Sequence, residues 1–209
     1  MIKKITQVLL AIAIVALVFV IYKQISTPIE FENELASRKE AVIKRIKDIR
    51  LAERQFKSKY QHFTADFDSL INFVLTEEME GERKIVDEDD SVAMAMLKKL
   101  KRQNVEKFTY SVKDSLFKHL TPDEVKEIRF IPFSNNQEYI LEAGMITTES
   151  KVVIPVVECR APYKAFLDIE KYKQEFINLV DNEVNNLDKY PGVKFGSMEG
   201  GNNEAGNWE

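Results

Sequence analysis

The chain has 209 residues, of which 44% are hydrophobic and 10% aromatic, and its formal net charge is −4. This composition can build a hydrophobic core and excludes an intrinsically disordered chain. Basic and acidic residues are interspersed rather than gathered on a basic face, so we expect no nucleic-acid partner.

An uninterrupted apolar run from Val8 to Tyr22 lies close to the N-terminus. As a helix, residues Ile5 to Tyr22 would be about 27 Å long, close to the roughly 30 Å hydrocarbon thickness of a bilayer. No small-x-small cleavage site follows in good register, which favours a retained signal anchor over a cleaved signal peptide. We therefore expect residues 5–22 to be a transmembrane helix in contact with lipid.

Basic groups are more frequent before the run than directly after it. By the positive-inside rule, this predicts that residues 1–4 form a cytoplasmic tail. The C-terminal domain would lie outside, in the periplasm of a bacterium with two membranes. The predicted location is the inner membrane, crossed once.

Residues 23–63 have the pattern of an amphipathic stalk helix, and Pro28 either kinks it or lies in its first turn. Apolar residues recur every seventh position, with others between them: Leu35, Val42, Ile46, Ile49, Ala52, Phe56, Tyr60 and Phe63. This stripe either contacts another chain, as in a coiled coil, or packs on the protein's own sheet. For the assembly hypothesis, we predict partner contact through Leu35, Val42, Ile46 and Ile49, with a sheet covering only the part farther from the membrane.

Residues 64–198 predict an exported α+β domain. Thr64 or Asp66 can cap a short helix, and Thr76 to Ser91 is acidic and predicts a mobile loop. Ser91 to Gln103 predicts a helix, Phe108 to Phe117 a half-buried strand, and Thr121 to Ile128 a short helix.

Three further strands are predicted, at Arg129 to Phe133, Glu138 to Gly144 and Lys151 to Cys159, joined as an antiparallel meander because their connections are short. Pro155 predicts a sheet edge or a bulge. A helix is expected after Pro162, and a turn with a short extended segment after Tyr190.

Residues 199–209 predict a flexible C-terminal tail that becomes ordered only if it docks. Its strongest hydrophobic group, Trp208, would anchor the tail on the domain or contact a partner.

Catalytic patterns are missing from the sequence. His62 and His119 lie in different segments without metal-ligand spacing, and the acidic run from Asp87 to Asp90 lacks the spacing of a calcium loop. Cys159, the single cysteine, excludes an internal disulfide and predicts a buried thiol. We expect no enzyme activity, metal or cofactor.

An apolar N-terminal helix that continues as an amphipathic helix, followed by antiparallel strands, resembles type IV pilins and the pseudopilins of type II secretion systems. The segment from Ile49 to Leu70 is similar to the pilin stretch in which a helix ends at an aromatic residue, with Tyr60, Phe63 and Leu70 matching. The resemblance implies a long helix packed on an antiparallel sheet. The peptidase signal of that family has no match, since Val8 to Tyr22 contains neither Gly nor Glu.

Two further resemblances concern the layout. The run from Tyr190 to Met198 and the ending Asn207-Trp208-Glu209 are similar to a family of uncharacterised single-pass bacterial envelope proteins. The order of tail, span, stalk and small domain resembles the bitopic platform proteins of secretion machines. These resemblances imply a membrane-anchored structural or assembly subunit among other membrane-anchored subunits. A tethered periplasmic ligand-binding or sensing domain is the alternative, and it predicts an apolar pocket in residues 104–209.

Overall fold

The computed structural model describes residues 2–87, 89–100 and 103–209, without the side chains of residues 2–5 and 8. It is a mixed α+β fold with one long N-terminal helix and two antiparallel sheets. Helix α1 (Ile2–Tyr60) continues through Pro28 without interruption, so the predicted span and the predicted stalk are one helix.

Helix α1 has two halves with opposite surroundings. Large apolar side chains from Leu9 to Tyr22 are 47–70% exposed. From Phe31 onward, the apolar side chains on one face of the helix are buried by the domain. These buried apolar side chains are Phe31, Val42, Ile46, Ile49, Ala52 and Phe56. The seven-residue stripe therefore packs on the protein's own domain, and it does so over most of the helix beyond the apolar half.

Helix α2 (Phe67–Thr76) begins where the sequence predicts, because the Asp66 side chain accepts hydrogen bonds from the backbone N–H groups of Asp68 and Ser69. Its face of Phe67, Leu70, Ile71, Phe73 and Val74 is buried. An edge-to-face contact between Phe73 and Phe56, with ring centroids 5.3 Å apart, joins α2 to the end of α1.

The predicted mobile loop between Thr76 and Ser91 is wrong in part. Strand β1 (Glu78–Arg83) lies there and pairs antiparallel with β2 (Glu106–Ser111). Helix α3 (Ser91–Lys99) connects them, capped by Asp90. Four of the six residues of β1 are exposed, and Met79 is its single large apolar residue, so its sequence shows no alternation of apolar and polar positions.

The predicted strand from Phe108 to Phe117 is correct only up to Ser111. The Ser111 side chain accepts a hydrogen bond from the Asp114 N–H and starts helix α4 (Val112–Leu116). Helix α5 (Pro122–Lys126) is confirmed, with a reciprocal capping box between Thr121 and Glu124.

The larger sheet has three antiparallel strands, in the order β3 (Ile140–Thr147), β4 (Val153–Pro162) and β5 (Gly192–Gly196). The predicted pairing of the second and third meander strands is confirmed by β3 and β4. The third strand of the sheet is β5, which lies in the extended segment predicted after Tyr190 and is reached through helices rather than a short turn. Pro155 pairs with Met145, in a part of β4 that β5 does not reach, because β5 pairs only with Glu158–Pro162. The missing N–H of proline is tolerated there as at a sheet edge.

The strand predicted from Arg129 to Phe133 is wrong, because a 3-10 turn (Glu127–Arg129) precedes a single bridge between Phe130 and Glu138. The helix predicted after Pro162 is two helices, α6 (Tyr163–Phe166) and α7 (Lys173–Asp181), and α7 ends in a π turn (Asn182–Asn186).

Candidate functional site

The apolar half of α1 is the first functional element. Among the described residues, one helix is long and apolar enough to cross a membrane, with a mean hydropathy of 2.3 over its best window and none of that window buried. Leaving such a surface in water is unfavourable, and lipid removes it from water. The helix is therefore suited to membrane anchoring, with lipid around its apolar half.

The domain is fixed to α1 a short distance beyond this half. Phe31, which follows Tyr22 by roughly 13 Å of helix, packs against the ring of Tyr172 with centroids 5.4 Å apart. The Tyr172 hydroxyl donates to a Glu34 carboxylate oxygen at 3.0 Å. Arg38 donates to the Phe166 carbonyl oxygen at 2.6 Å and forms an ion pair with Glu34. These contacts hold the domain directly against the helix.

The residues predicted to contact a partner separate into two groups. Val42, Ile46 and Ile49 have no exposed surface, and the Tyr139 hydroxyl donates to the Val42 carbonyl oxygen at 3.2 Å. In this fold no partner can reach these three side chains, which corrects their predicted role. The reason is that the sheet and the 3-10 turn cover α1 from Phe31 onward rather than only its far end. Leu35 and Trp208 are partly buried and pack on the edge of the core.

The C-terminal segment that was predicted to be a flexible tail is docked across α1. Arg50 forms an ion pair with Glu209 at 2.6 Å and lies 5.4 Å from the centroid of the Trp208 ring. Glu204 forms ion pairs with Arg54 at 3.2 Å and Lys57 at 3.5 Å. Hydrogen bonding to Arg50 lowers the pKa of Glu209. The tail is thus ordered through docking, and Trp208 anchors it on the domain.

Glu53 is a carboxyl group buried on the core face of α1, with no exposed surface. One oxygen accepts a hydrogen bond from the Thr64 N–H at 3.2 Å, and the other has no hydrogen-bond partner. Burial raises the pKa of Glu53 from 4.5 to about 8. Sequence reasoning missed this residue, although it occupies the position seven residues after Ile46 and one turn before Phe56.

Two other ionisable groups have a pKa that is raised by burial. Cys159 is fully buried, as predicted, and burial raises the pKa of its thiol. Asp48 lies 3.1 Å from the ring of His119, and burial raises the pKa of this carboxyl. Within the described residues there is no group of three or more His, Cys, Asp or Glu side chains that could hold a metal. Of the acidic run at 87–90, Glu88 lies outside the described residues.

Two of the surface clefts that border α1 lie beside its residues 37–48. One, of about 610 Å³, lies beside Arg38, Arg45 and the loop 130–136. The Arg45 guanidinium is already engaged, since it donates to the Phe130 carbonyl oxygen at 2.9 Å. The other, of about 570 Å³, follows the open side of α1 along Ser37, Lys44 and Lys47. The first is a polar cleft and differs from the apolar pocket expected of a ligand-binding domain.

A second exposed apolar surface lies on α3. Val92, Met96 and Leu100 are 62–67% exposed, while Leu97 is buried. The spacing of four residues puts the three exposed side chains on one helix face. The pattern was visible in the sequence as an apolar face, but which face the fold would leave open was not.

No family model matches this chain, and neither a curated protein nor a solved structure is found to be similar to it.

Proposed function

We propose that this protein is a membrane-anchored, non-enzymatic structural or assembly subunit of the cell envelope, similar to pilins and pseudopilins or to secretion platform proteins. The supporting observation is that one continuous helix joins the bare apolar half to the folded domain. The N-terminus lies in the cytoplasm and the domain in the periplasm, with the span in the inner membrane.

The protein acts by holding its domain in a fixed position and orientation relative to the membrane. The contacts of α1 with Tyr172 and with the Phe166 carbonyl oxygen remove a flexible joint between the span and the domain, so that the orientation of one sets the orientation of the other. Since Val42, Ile46 and Ile49 are covered, partner helices contact the opposite side of α1. That side carries Ser37, Lys44 and the cleft along them.

Cysteine crosslinking in intact membranes tests this proposal. Single cysteines replace Ser37 or Lys44 on the open side of α1, and Lys118, exposed in the loop after α4, gives the control position. We expect crosslinked complexes through the first two positions and none through Lys118→Cys. Equal crosslinking at all three positions, or none at any, would contradict an assembly contact along α1.

Topology is tested separately by labelling. A membrane-impermeant maleimide applied from outside should modify Lys118→Cys in intact cells whose outer membrane is permeabilised. Native Cys159 serves as the internal control because it is buried and should not react. Modification only after the inner membrane is broken would place the domain in the cytoplasm.

The alternative, a tethered ligand-binding or sensing domain, has one observation in its favour. The cleft beside Arg38 and Arg45 carries two guanidinium groups and the exposed ring of Phe133. An anionic ligand would bind there by displacing the Glu34 carboxylate from Arg38 or the Phe130 carbonyl oxygen from Arg45. Binding of a small carboxylate or phosphate that is lost in Arg45→Ala, with crosslinking through α1 absent, would favour this alternative.

A further inference from the structure

The C-terminal tail occupies a groove with two walls. One wall is the outer edge of β5, where the Gly196 N–H donates to the Ala205 carbonyl oxygen and the Asn207 N–H donates to the Lys194 carbonyl oxygen, both at 3.0 Å. The Asn207 side chain adds hydrogen bonds to the Lys194 N–H and the Gly192 carbonyl oxygen. The tail therefore pairs with the free edge of β5 through a single antiparallel bridge, between Phe195 and Gly206.

The other wall is the basic side of α1. Arg50 binds the Glu209 carboxylate and stacks near the ring of Trp208, while Arg54 and Lys57 face Glu204. The groove thus combines backbone pairing, an aromatic contact and cationic groups. Its chemistry fits a short acidic segment containing a tryptophan, and the segment that it holds is residues 205–209 of this chain.

The turn that brings the tail back onto its own β5 is conformationally unfavourable. Asn203 and Glu204 are consecutive non-glycine residues with φ of 55° and 52°. Both lie in the left-handed region, which glutamate rarely adopts. Before them, residues 197–202 include Gly200 and Gly201. No other atom lies within 4 Å of where a side chain at Gly200 would begin, so the segment is not packed there. Strained hinge turns of this kind favour exchange of the terminal segment between copies.

We infer that residues 205–209 exchange between neighbouring copies, so that the tail of one chain occupies the groove between β5 and α1 of a second copy. In the exchanged form the pairing with β5, the ion pair of Arg50 with Glu209 and its contact with the Trp208 ring are kept. The contacts of Glu204 with α1 are lost, and the strain at residues 203 and 204 is released. Extended, residues 197–204 reach about 27 Å, enough to pass to an adjacent domain.

A second copy is the occupant because the groove already fits this sequence in backbone pairing and charge. Copies fixed in one membrane plane also meet at high local concentration. The inference therefore rests on the proposed anchoring and assembly, and it names the segment that joins one copy to the next.

The test uses two full-length chains with different tags, co-expressed in the same membrane. One carries Ser58→Cys and the other Ala205→Cys, both exposed positions beside the docked tail that leave Arg50 and Glu209 in place. A short bismaleimide joins cysteines that lie in the docked geometry. Buried Cys159 is kept in both, and chains without added cysteines give the background. We expect a covalent dimer containing both tags. Lys118→Cys paired with Ala205→Cys is the matched control and should give no dimer.

Position 203 separates exchange from simple proximity. The Asn203 side chain is not part of the docking contacts, since only its carbonyl oxygen accepts a hydrogen bond from Arg54. In the Ala205→Cys chain, Asn203→Gly reduces the strain of the turn and should lower the mixed dimer several-fold. Asn203→Val raises the strain and should increase the dimer several-fold.

Equal dimer yields from the glycine and valine variants would overturn the exchange, as would a yield no higher than that of the Lys118→Cys control. A crosslink from Ser58→Cys to a different protein would assign the groove to another acidic partner instead of a second copy. Crosslinking through Ser37→Cys and Lys44→Cys without tail exchange would overturn this inference and leave the assembly role standing. No crosslinking at any of these positions would contradict both the tail exchange and the assembly role.

Discussion

The buried carboxyl of Glu53 predicts an unusual pH dependence of stability. Its pKa is raised from 4.5 to about 8 because burial disfavours the charged form and a single hydrogen bond, from the Thr64 N–H, compensates only in part. The folded protein therefore holds this proton more tightly than the unfolded chain does. Stability from this group is fully present below pH 4.5 and falls as the pH rises toward 8.

The size of the effect follows from the shift. One pKa unit corresponds to about 1.4 kcal/mol, so the free energy of unfolding should fall by roughly 3–4 kcal/mol between pH 5 and pH 8. Solvent does not weaken this effect, since the Glu53 side chain has no exposed surface. Glu53→Gln keeps the shape without the charge and should remove this slope.

The assay is urea unfolding of the full chain in mild detergent, with the folded fraction measured by brief proteolysis at each pH. The difference in unfolding free energy between Glu53→Gln and wild type should grow steadily from pH 5 to pH 8. Glu40→Gln, on an exposed position of the same helix, is the matched control and should follow wild type. A difference that stays constant across this range would refute the reasoning.

Three further predictions concern the fold and the thiol. Val42→Glu places a charge in a fully buried site. It should lower the free energy of unfolding by more than about 4 kcal/mol and so unfold the domain, even in purified protein without a partner. Native-like resistance to proteolysis would contradict this. Thr121→Ala removes the cap of α5 and should cost about 1 kcal/mol in urea unfolding, and no loss would argue against the capping box. Cys159 should react with maleimide only when the protein unfolds, at a rate that follows urea concentration, and fast reaction in native protein would contradict its burial.

Local signals predicted the local features of this fold well. The apolar run marked the exposed half of α1, Asp66 marked the start of α2, and the short connection between β3 and β4 marked their antiparallel pairing. Each of these depends on residues within a few positions of one another. The stripe of α1 also predicted burial, while leaving open whether the covering surface belonged to this chain or another.

Pairings between distant segments were not predictable in this way. Strand β1 is acidic and mostly exposed, and it becomes a strand only through pairing with β2, more than twenty residues later. The docked tail depends on an ion pair between Arg50 and Glu209, which are 159 positions apart. Each segment alone resembles a solvated loop, and neither contains the apolar periodicity from which secondary structure is predicted.

The burial of the stripe also decides what kind of contact α1 can offer. The face of α1 with Val42, Ile46 and Ile49 packs on the domain and is not open to another protein. Beyond the apolar half, the side that remains carries Ser37, Glu40, Lys44 and Lys47. Contacts made there are polar and weaken with salt, whereas contacts inside the bilayer do not. Assembly through this helix would therefore draw its stability from the span and its selectivity from the charged face beyond it.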